Sequence, residues 1–305
     1  MNGEENVTIT GCTGCNLRNL TAAFPLGKLC VITGKNGAGK SVFLQQTLYP
    51  ALCRHFGKKC GTEGLPFETL TVNGGISDVV LIDQTPMGRS SSSNPATYLK
   101  IFDDIRTLFA SLPDAKIRNM TARHFSFNLA GGRCEHCKGD GSMVIDMQFL
   151  PDQIVPCPEC HGKRYRTEVL NILYRGKNIA EVLDMTVREA FLFFRGQNKL
   201  QQKLRQMFDA GLDYLRLGQN SATLSGGESQ RLKLVSYLLQ IRSSRSLILM
   251  DEPAAGLHFA DAEQLLTCFR ELIAAGHSLI AAEHNQKIIA AADYRLELPS
   301  ADGSQ

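Results

Sequence analysis

The sequence predicts an α/β fold with a parallel sheet that is interrupted by a cysteine-rich insertion. Short apolar runs alternate with helical segments over residues 26–50 and again over 225–300, as is typical of parallel strands buried on both faces. A glycine-rich loop follows the first apolar run, and two closely spaced cysteine pairs lie between residues 115 and 170. Together these observations predict a core that the insertion splits in sequence.

The composition is that of a folded protein. The chain has 305 residues, of which 43% are hydrophobic and 21% charged, so general disorder is excluded. The net charge is only +3, which gives no argument for nucleic-acid binding from bulk charge. We expect no transmembrane helix and, from the polar start of the sequence, no signal or transit peptide. In the cytoplasmic protein that this suggests, ten cysteines favour metal binding or buried thiols over disulfides.

The first element is a strand over Leu29–Ile32, followed by a loop that matches the phosphate-binding pattern G-x-x-x-x-G-K-[ST]. Its glycines let backbone N–H groups converge on phosphates, and the helix after the loop points its positive end at the same anion. Lys40 would reach the β- and γ-phosphate oxygens, and the Ser41 hydroxyl would bind Mg²⁺. The candidate nucleotide-binding residues of the loop are Gly34, Asn36, Gly37, Gly39, Lys40 and Ser41.

A second phosphate-binding element is predicted where an apolar strand over Leu247–Met250 ends in two carboxylates. Asp251 would hold Mg²⁺, directly or through water, and Glu252 would orient and polarise an attacking water. An ordinary strand ending in a solvated acidic turn is the alternative, and the phosphate loop upstream argues against it. The remaining elements of this part are predicted as helices over Leu232–Ile241 and Ala262–Ala275 and a strand over Leu279–Ala282.

Two C-x2-C pairs, separated by 19 residues, form a strong zinc pattern. Each pair aims two thiolates at one tetrahedral centre, and four thiolates would leave no open position for catalysis. A redox dithiol pair is the less favoured alternative. His136 and His161 are interpreted as surface residues, and Cys12 and Cys15 as unliganded because no second pair matches them. The candidate Zn²⁺ ligands are Cys134, Cys137, Cys157 and Cys160.

The charge around these cysteines does not decide whether the insertion binds nucleic acid. Residues 116–168 carry eight basic and six acidic side chains, a local net charge of +2. An excess of this size fits a solvated surface of mixed charge as well as a nucleic-acid interface.

The segment Leu224–Arg231 resembles the signature motif of ABC ATPases. Gln84 resembles their Q-loop glutamine and His284 their switch histidine. The resemblance implies that Gln84, Glu252 and His284 serve hydrolysis of the ATP bound by the same chain. It also implies that Ser225, Gly226 and Gly227 contact ATP bound to a second module, so two modules enclose two nucleotides.

Further segments resemble the UvrA family, the damage-recognition ATPases of bacterial nucleotide excision repair. The resemblance runs from about Ile9 to about Leu298 and is to the second, C-terminal ABC module. It implies three parts: a first part of the ATP-binding core (1–114), an inserted signature and zinc-binding region (115–222) and a second core part (223–305). The segments that carry it are Asp83–Tyr98, Phe125–Asn128, Gly131–Cys134, Gly139–Gly141, Phe149–Asp152, Gly162–Tyr165 and Leu217–Gln219.

The resemblance implies an ATPase associated with an excision nuclease, with ATP, Mg²⁺ and Zn²⁺ as cofactors. ATP would control dimerisation and binding to double-stranded DNA, and the partner would be a second copy or another ABC module. Family members carry two modules in one chain, whereas this sequence carries one. A UvrB-like repair partner is a further candidate, and the absence from this sequence of the first module's segment that engages UvrB argues against it. A paralogue that acts in self-resistance to DNA-binding drugs, or in regulation, is the alternative. The nucleotide-binding subunit of a transporter is disfavoured by the cysteine insertion.

Overall fold

The computed structural model describes residues 5–85, 93–147, 150–240, 245–257 and 262–299. The strands are β1 (Asn6–Gly14), β2 (Leu17–Pro25), β3 (Leu29–Thr33), β4 (Thr69–Asn73), β5 (Asp78–Ile82), β6 (Ser142–Met147), β7 (Leu150–Pro156), β8 (Ser246–Asp251), β9 (Ser278–Ala282) and β10 (Tyr294–Glu297).

The helices are α1 (Tyr49–His55), α2 (Pro95–Tyr98), α3 (Ile101–Ser111), α4 (Pro113–Ile117), α5 (Thr167–Leu170), α6 (Ile179–Asp184), α7 (Val187–Phe193), α8 (Asn198–Asp209), α9 (Gly226–Leu238), α10 (Ala262–Ala274) and α11 (Gln286–Ala290). A π-helix over Val42–Leu48 runs directly into α1, and a short 3₁₀ turn covers Ser221–Thr223. Every helix in the described part of the chain is too short or too polar to cross a lipid bilayer.

The described residues form two compact units. The first contains the residues up to Thr85, residues 209–211 and the chain from Gly226 onward. The second contains residues 93–208 and 212–225. The second unit therefore begins before residue 115, and the three-part division drawn from the family resemblance stays a prediction.

A parallel sheet of five strands, in the order β10-β3-β9-β8-β5, forms the core of the first unit. All six residues of β8 and all five of β9 are buried, which explains their continuous apolar sequences. The predicted α/β class with a parallel sheet is thus observed. Strands β3, β8 and β9 and helix α10 lie within a residue or so of their predicted positions.

The register of the sheet brings the predicted phosphate-binding elements to one edge. Ala282, at the end of β9, pairs with Ile32 of β3 on one side and with Asp251 of β8 on the other. Because the strands are parallel, the loops that follow all three leave the sheet together. The phosphate loop, the acidic pair and the switch-histidine segment are therefore neighbours.

Helix α9 extends from Gly226 to Leu238, whereas the sequence predicts a helix over Leu232–Ile241. Its start is earlier because the two glycines of the signature motif already belong to its first turn. Residue 241 lies outside the described residues.

An antiparallel sheet in the order β2-β1-β4 completes the first unit and was not predicted. Its inner face joins the main core, where Phe24 of β2 lies 6.2 Å, between ring centroids, from Phe43 of the helix after the phosphate loop. This packing fixes the helix that follows the phosphate loop.

The second unit combines short helices with the hairpin β6–β7, which runs between the two cysteine pairs. An aromatic cluster packs α3 against the segment that precedes the first cysteine pair. The centroid of Phe109 lies 5.6 Å from that of Phe125, and Phe102 lies 5.1 Å from Phe127. Tyr165 is buried and donates its hydroxyl to Phe125 O at 3.0 Å.

Candidate functional site

The phosphate loop has the backbone that its glycines predict. Gly34, Gly37 and Gly39 have φ angles of 146°, 83° and 92°, which only glycine adopts easily. A Cβ on Gly34 would also lie 3.0 Å from Leu298 O. Asn16, which the sequence analysis did not single out, donates to Gly37 O at 2.6 Å and braces the loop. Asn36 is exposed and lines the cavity beside the loop.

Lys40 lies inside this loop. Its ammonium donates to Gly34 O at 2.8 Å and to Lys35 O at 3.3 Å, and the residue is only 6% exposed. The ammonium thus lies at the place where a phosphate loop would enclose an anion.

Ser41 and Asp251 meet although they are 210 positions apart. Ser41 Oγ donates to Asp251 Oδ1 at 3.0 Å. Two ligands at adjacent corners of an octahedral Mg²⁺ site, each about 2.1 Å from the ion, lie ~3.0 Å apart. The pair therefore has the spacing and the oxygen chemistry that Mg²⁺ requires.

Gln45 is a residue of this site that sequence reasoning missed. It lies one helical turn after Ser41, and its Nε2 donates to Asp251 Oδ2 at 2.7 Å. The only signal in the sequence is the i, i+4 spacing from Ser41, which places both side chains on one face of the helix.

The carboxyl group of Asp251 titrates above its ordinary range. Burial raises its pKa, and the charge of Glu252 raises it further, while the hydrogen bonds from Ser41 and Gln45 and the charge of Lys40 lower it. A cation bound between Ser41 and Asp251 would offset this unfavourable burial of charge.

Glu252 and His284 line a cavity of about 510 Å³ together with Lys40 and Ser41. Glu252 Oε1 lies 3.7 Å from His284 Nδ1. Glu252 has a positive φ of 48°, a strained conformation for a residue with a Cβ, which turns its side chain out of the strand direction. The predicted base and switch histidine are thus brought together beside the phosphate loop.

Gln84 and the signature glycines lie against the carboxyl end of β8. Gln84 Nε2 donates to Asp251 O at 3.2 Å. A Cβ on Gly226 would lie 3.2 Å from Gln84 Oε1, and one on Gly227 would lie 2.4 Å from Ala255 O. Ser225, which directly precedes α9, is the last residue of the second unit. Packing within the chain therefore also requires glycine at position 227.

The four predicted Zn²⁺ ligands form one buried cluster in the second unit. Their sulfur atoms all lie within 4.8 Å of one another. Cys134 Sγ is 3.9 Å from Cys157 Sγ, and Cys137 Sγ is 3.6 Å from Cys160 Sγ. In a tetrahedral site with Zn–S bonds of about 2.3 Å, sulfur atoms lie ~3.8 Å apart. The cluster therefore fits a four-thiolate zinc ion.

The histidines beside these cysteines are exposed, as expected. His136 Nδ1 lies 3.7 Å from Glu159 Oε1, and His161 is exposed with a φ of 49°. Cys12 is buried in β1 and Cys15 is exposed, and within the described ranges neither belongs to a cluster that could hold a metal.

The basic residues near the cluster are partly neutralised. Arg133 and Arg166 lie 3.4 and 3.9 Å from the carboxylate of Glu135. The guanidinium of Arg164 lies over the Phe127 ring, 5.2 Å from its centroid. The Glu135 carboxylate therefore offsets part of the positive charge of this surface.

Comparison with known proteins shows what the chain is similar to. It is 45% identical to UvrABC system protein A of Thermus thermophilus over 299 residues, which are 98% of this chain and 31% of that protein. It is 44% identical to the protein of the same name from Escherichia coli K12, covering 99% of this chain and 32% of the relative. No family model matches the chain.

A solved structure shows the same similarity to UvrA. The crystal structure of UvrA2 from Deinococcus radiodurans superposes with a TM-score of 0.82 at 44% identity, over 96% of this chain and 35% of that one. The chain thus spans about a third of the proteins it matches, and its predicted resemblance to UvrA is confirmed. The predicted fold class, an ABC-type P-loop ATPase core with an inserted four-cysteine segment, is confirmed as well.

Proposed function

We propose that this chain, which is similar to about a third of UvrA, is an ATPase module that uses ATP to control pairing with a second module and binding to double-stranded DNA in nucleotide excision repair. The hydrogen bond between Ser41 and Asp251 carries the proposal. It joins the two predicted Mg²⁺-binding elements, as hydrolysis of a nucleotide requires.

In the proposed reaction, the residues that bind one ATP and prepare it for hydrolysis come from a single chain. The phosphate loop binds the phosphates through its N–H groups, and Lys40 neutralises the β- and γ-phosphate oxygens. Ser41 and Asp251 would hold Mg²⁺, which would supply further charge neutralisation. Glu252 orients the attacking water, and His284 contacts both Glu252 and the γ-phosphate. Gln84 links this group to the end of β8 through Asp251 O.

The signature motif acts on the other nucleotide of a pair. Ser225, Gly226 and Gly227 stand at the start of α9, where the helix dipole favours an anion. They would bind the γ-phosphate of ATP held by a second copy or by another ABC module. ATP then bridges the two modules, and hydrolysis separates them.

The second unit supplies the proposed DNA interface. The four cysteines would hold a structural Zn²⁺ that fixes the two turns and the hairpin between them. The basic residues on these turns, Arg133, Lys138, Lys163, Arg164 and Arg166, are the candidates for phosphate contacts.

Steady-state ATP hydrolysis by the wild type and by Glu252→Gln tests the catalytic assignment. The variant keeps the shape of the side chain but cannot act as a base, so we expect kcat to fall roughly 100-fold or more while ATP binding persists. Glu263→Gln, an exposed change on α10, is the matched control and should hydrolyse ATP normally. Normal turnover by Glu252→Gln would contradict the assignment.

A further inference from the structure

Glu283 is a buried carboxylate beside the proposed nucleotide site, and the proposed chemistry gives it no role. It follows directly after β9, and only 1% of its surface is exposed. Its Oε1 accepts from Ala254 N at 2.7 Å, while its Oε2 accepts from His284 N at 2.8 Å and from Asn285 N at 2.9 Å. One side chain thus binds the backbones of two separate loops.

The first of these loops is the turn after Glu252. Ala255 N donates to Glu252 O at 2.9 Å, so Ala254 lies within the same turn as the proposed base. The next carbonyl, Ala255 O, accepts from the buried Arg231 of α9 at 3.1 Å. The turn that Glu283 holds is therefore also in contact with the helix of the signature motif.

The second loop carries the switch histidine. The backbone of Glu283 is itself fixed by the sheet, because its N–H donates to Ile32 O at 3.0 Å and continues the pairing of β9 with β3. From this fixed point the side chain spans to the turn after β8. The carboxylate consequently sets the position of His284 relative to Glu252, whose side chains approach to 3.7 Å.

The chemistry of these contacts requires a carboxylate. Hydrogen bonds from N–H groups to an ionised oxygen are about twice as strong as neutral ones, and a buried charge left without them is costly. In Gln, an NH₂ group would replace one oxygen and face an N–H donor. An amide of the same shape therefore releases at least one of the two loops.

We infer that Glu283 is a positioning residue that fixes the switch-histidine loop and the turn after Glu252 relative to each other, so that Glu252 and His284 contact the same nucleotide. The functional part of this inference rests on the proposed ATPase function. The structural part, that one carboxylate holds both loops, does not.

Hydrogen exchange and ATP hydrolysis by Glu283→Gln, with Glu263→Gln as control, test both parts. Without nucleotide, we expect amides in at least one of the segments 254–257 and 284–286 to exchange roughly tenfold faster or more in Glu283→Gln, because charge-assisted hydrogen bonds protect them. We expect kcat for ATP to fall roughly 10- to 100-fold with little change in KM, since displaced catalytic groups slow the chemical step more than binding. The control should match the wild type.

Glu283→Asp provides a second test if the Gln variant does not fold. Aspartate readily bonds N–H groups just after it in sequence but is one methylene too short for Ala254. Segment 284–286 should then stay protected while 254–257 exchanges faster, and kcat should lie between those of wild type and Gln. Unchanged exchange, or a rise in KM alone, would overturn the inference. If the wild type does not hydrolyse ATP, the proposed function fails while the exchange result still decides the structural part.

Discussion

The carboxylate of Asp251 is held by Ser41 on one oxygen and by Gln45 on the other. The same group is buried beside Glu252, and both effects raise its pKa. A residue that is suited to bind a cation therefore destabilises the protein when no cation is present.

Asp251→Asn should accordingly raise stability without nucleotide while abolishing Mg²⁺-dependent hydrolysis. The amide oxygen can accept from Gln45, and the NH₂ group can donate to the Ser41 hydroxyl, so we expect a gain on the order of 1 kcal/mol at neutral pH. Chemical denaturation with and without Mg²⁺ and ATP measures this. A variant that is less stable than wild type at pH 7 would contradict it.

The pH dependence of this gain has a definite sign. Because the folded-state pKa of Asp251 is raised, the penalty of its charge is fully present above the folded pKa. The penalty fades as pH falls through the folded pKa and is absent below the unfolded pKa. The stability difference between Asp251→Asn and wild type should therefore shrink as pH is lowered from 7 towards 4, as denaturation at several pH values would show.

Gly227 illustrates a purely steric requirement. Its φ is not positive, but a Cβ would lie 2.4 Å from the backbone oxygen of Ala255. Gly227→Ala should lower the free energy of unfolding by about 1–3 kcal/mol, because the helix or the turn must shift. Gly61→Ala, whose Cβ would meet nothing within 4 Å, is the control. Equal urea midpoints for the two variants would refute this explanation.

Single functional residues can be predicted from the sequence when they belong to a motif of fixed spacing. The residues that hold those motif residues in place cannot be predicted in this way. The phosphate loop and the acidic strand end have fixed spacings, so Lys40, Ser41 and Asp251 can be assigned without coordinates. Gln45 and Glu283 act through contacts with distant backbone or side chains. Such contacts depend on the register of the sheet, which no local pattern specifies.

Among the elements, the two cysteine turns are copies of one geometry. Each C-x2-C pair is followed by a residue with a left-handed backbone and then by a glycine: Lys138 and Gly139 have φ angles of 52° and 95°, and His161 and Gly162 have 49° and 85°. A Cβ on Gly139 would lie 1.8 Å from Phe127 O. Two like turns with facing thiols explain how separate segments build one tetrahedral site.

Removal of one thiol should remove the metal. Cys157→Ser should reduce bound zinc from about one ion per chain to none, since three thiolates bind Zn²⁺ much more weakly than four. Cys15→Ser, an exposed cysteine outside the cluster, should keep it. Elemental analysis of the purified proteins decides the point, and an unchanged zinc content in Cys157→Ser would disprove the assignment.

The sequence analysis predicted the strands that are continuous apolar runs. It missed the hairpin β6–β7 and the antiparallel sheet of β1, β2 and β4. Strands β8 and β9 are buried on both faces and stand out as apolar runs. The hairpin β6–β7 exposes Val144 (64%) and Ile154 (73%), which pair with each other, so its pattern does not resemble a strand with one buried face. The antiparallel sheet of β1, β2 and β4 was also missed, although Val7 and Ile9 of β1 alternate with threonines, the period of two that indicates a half-buried strand.

For the whole molecule, the proposed function requires two modules for each pair of nucleotides. Glu252→Gln should bind ATP without hydrolysing it, so we expect size-exclusion with light scattering to show twice the mass of one chain when ATP is added. Lys40→Ala in the same buffer should keep the mass of a single chain, because its contact to the phosphates is lost. A single-chain mass for Glu252→Gln with saturating ATP would exclude a homodimer and favour a different second module.

The order of the parallel sheet also has a consequence for synthesis of the protein. β3 lies between β9 and β10, and Leu29 N donates to Asp293 Oδ2, 264 positions later. On the ribosome this strand has no neighbour on either side until most of the chain has been translated, whereas the contacts within 93–225 become available earlier. A nascent chain arrested before Ser278 should therefore resist protease over 93–225 and be cut readily around β3.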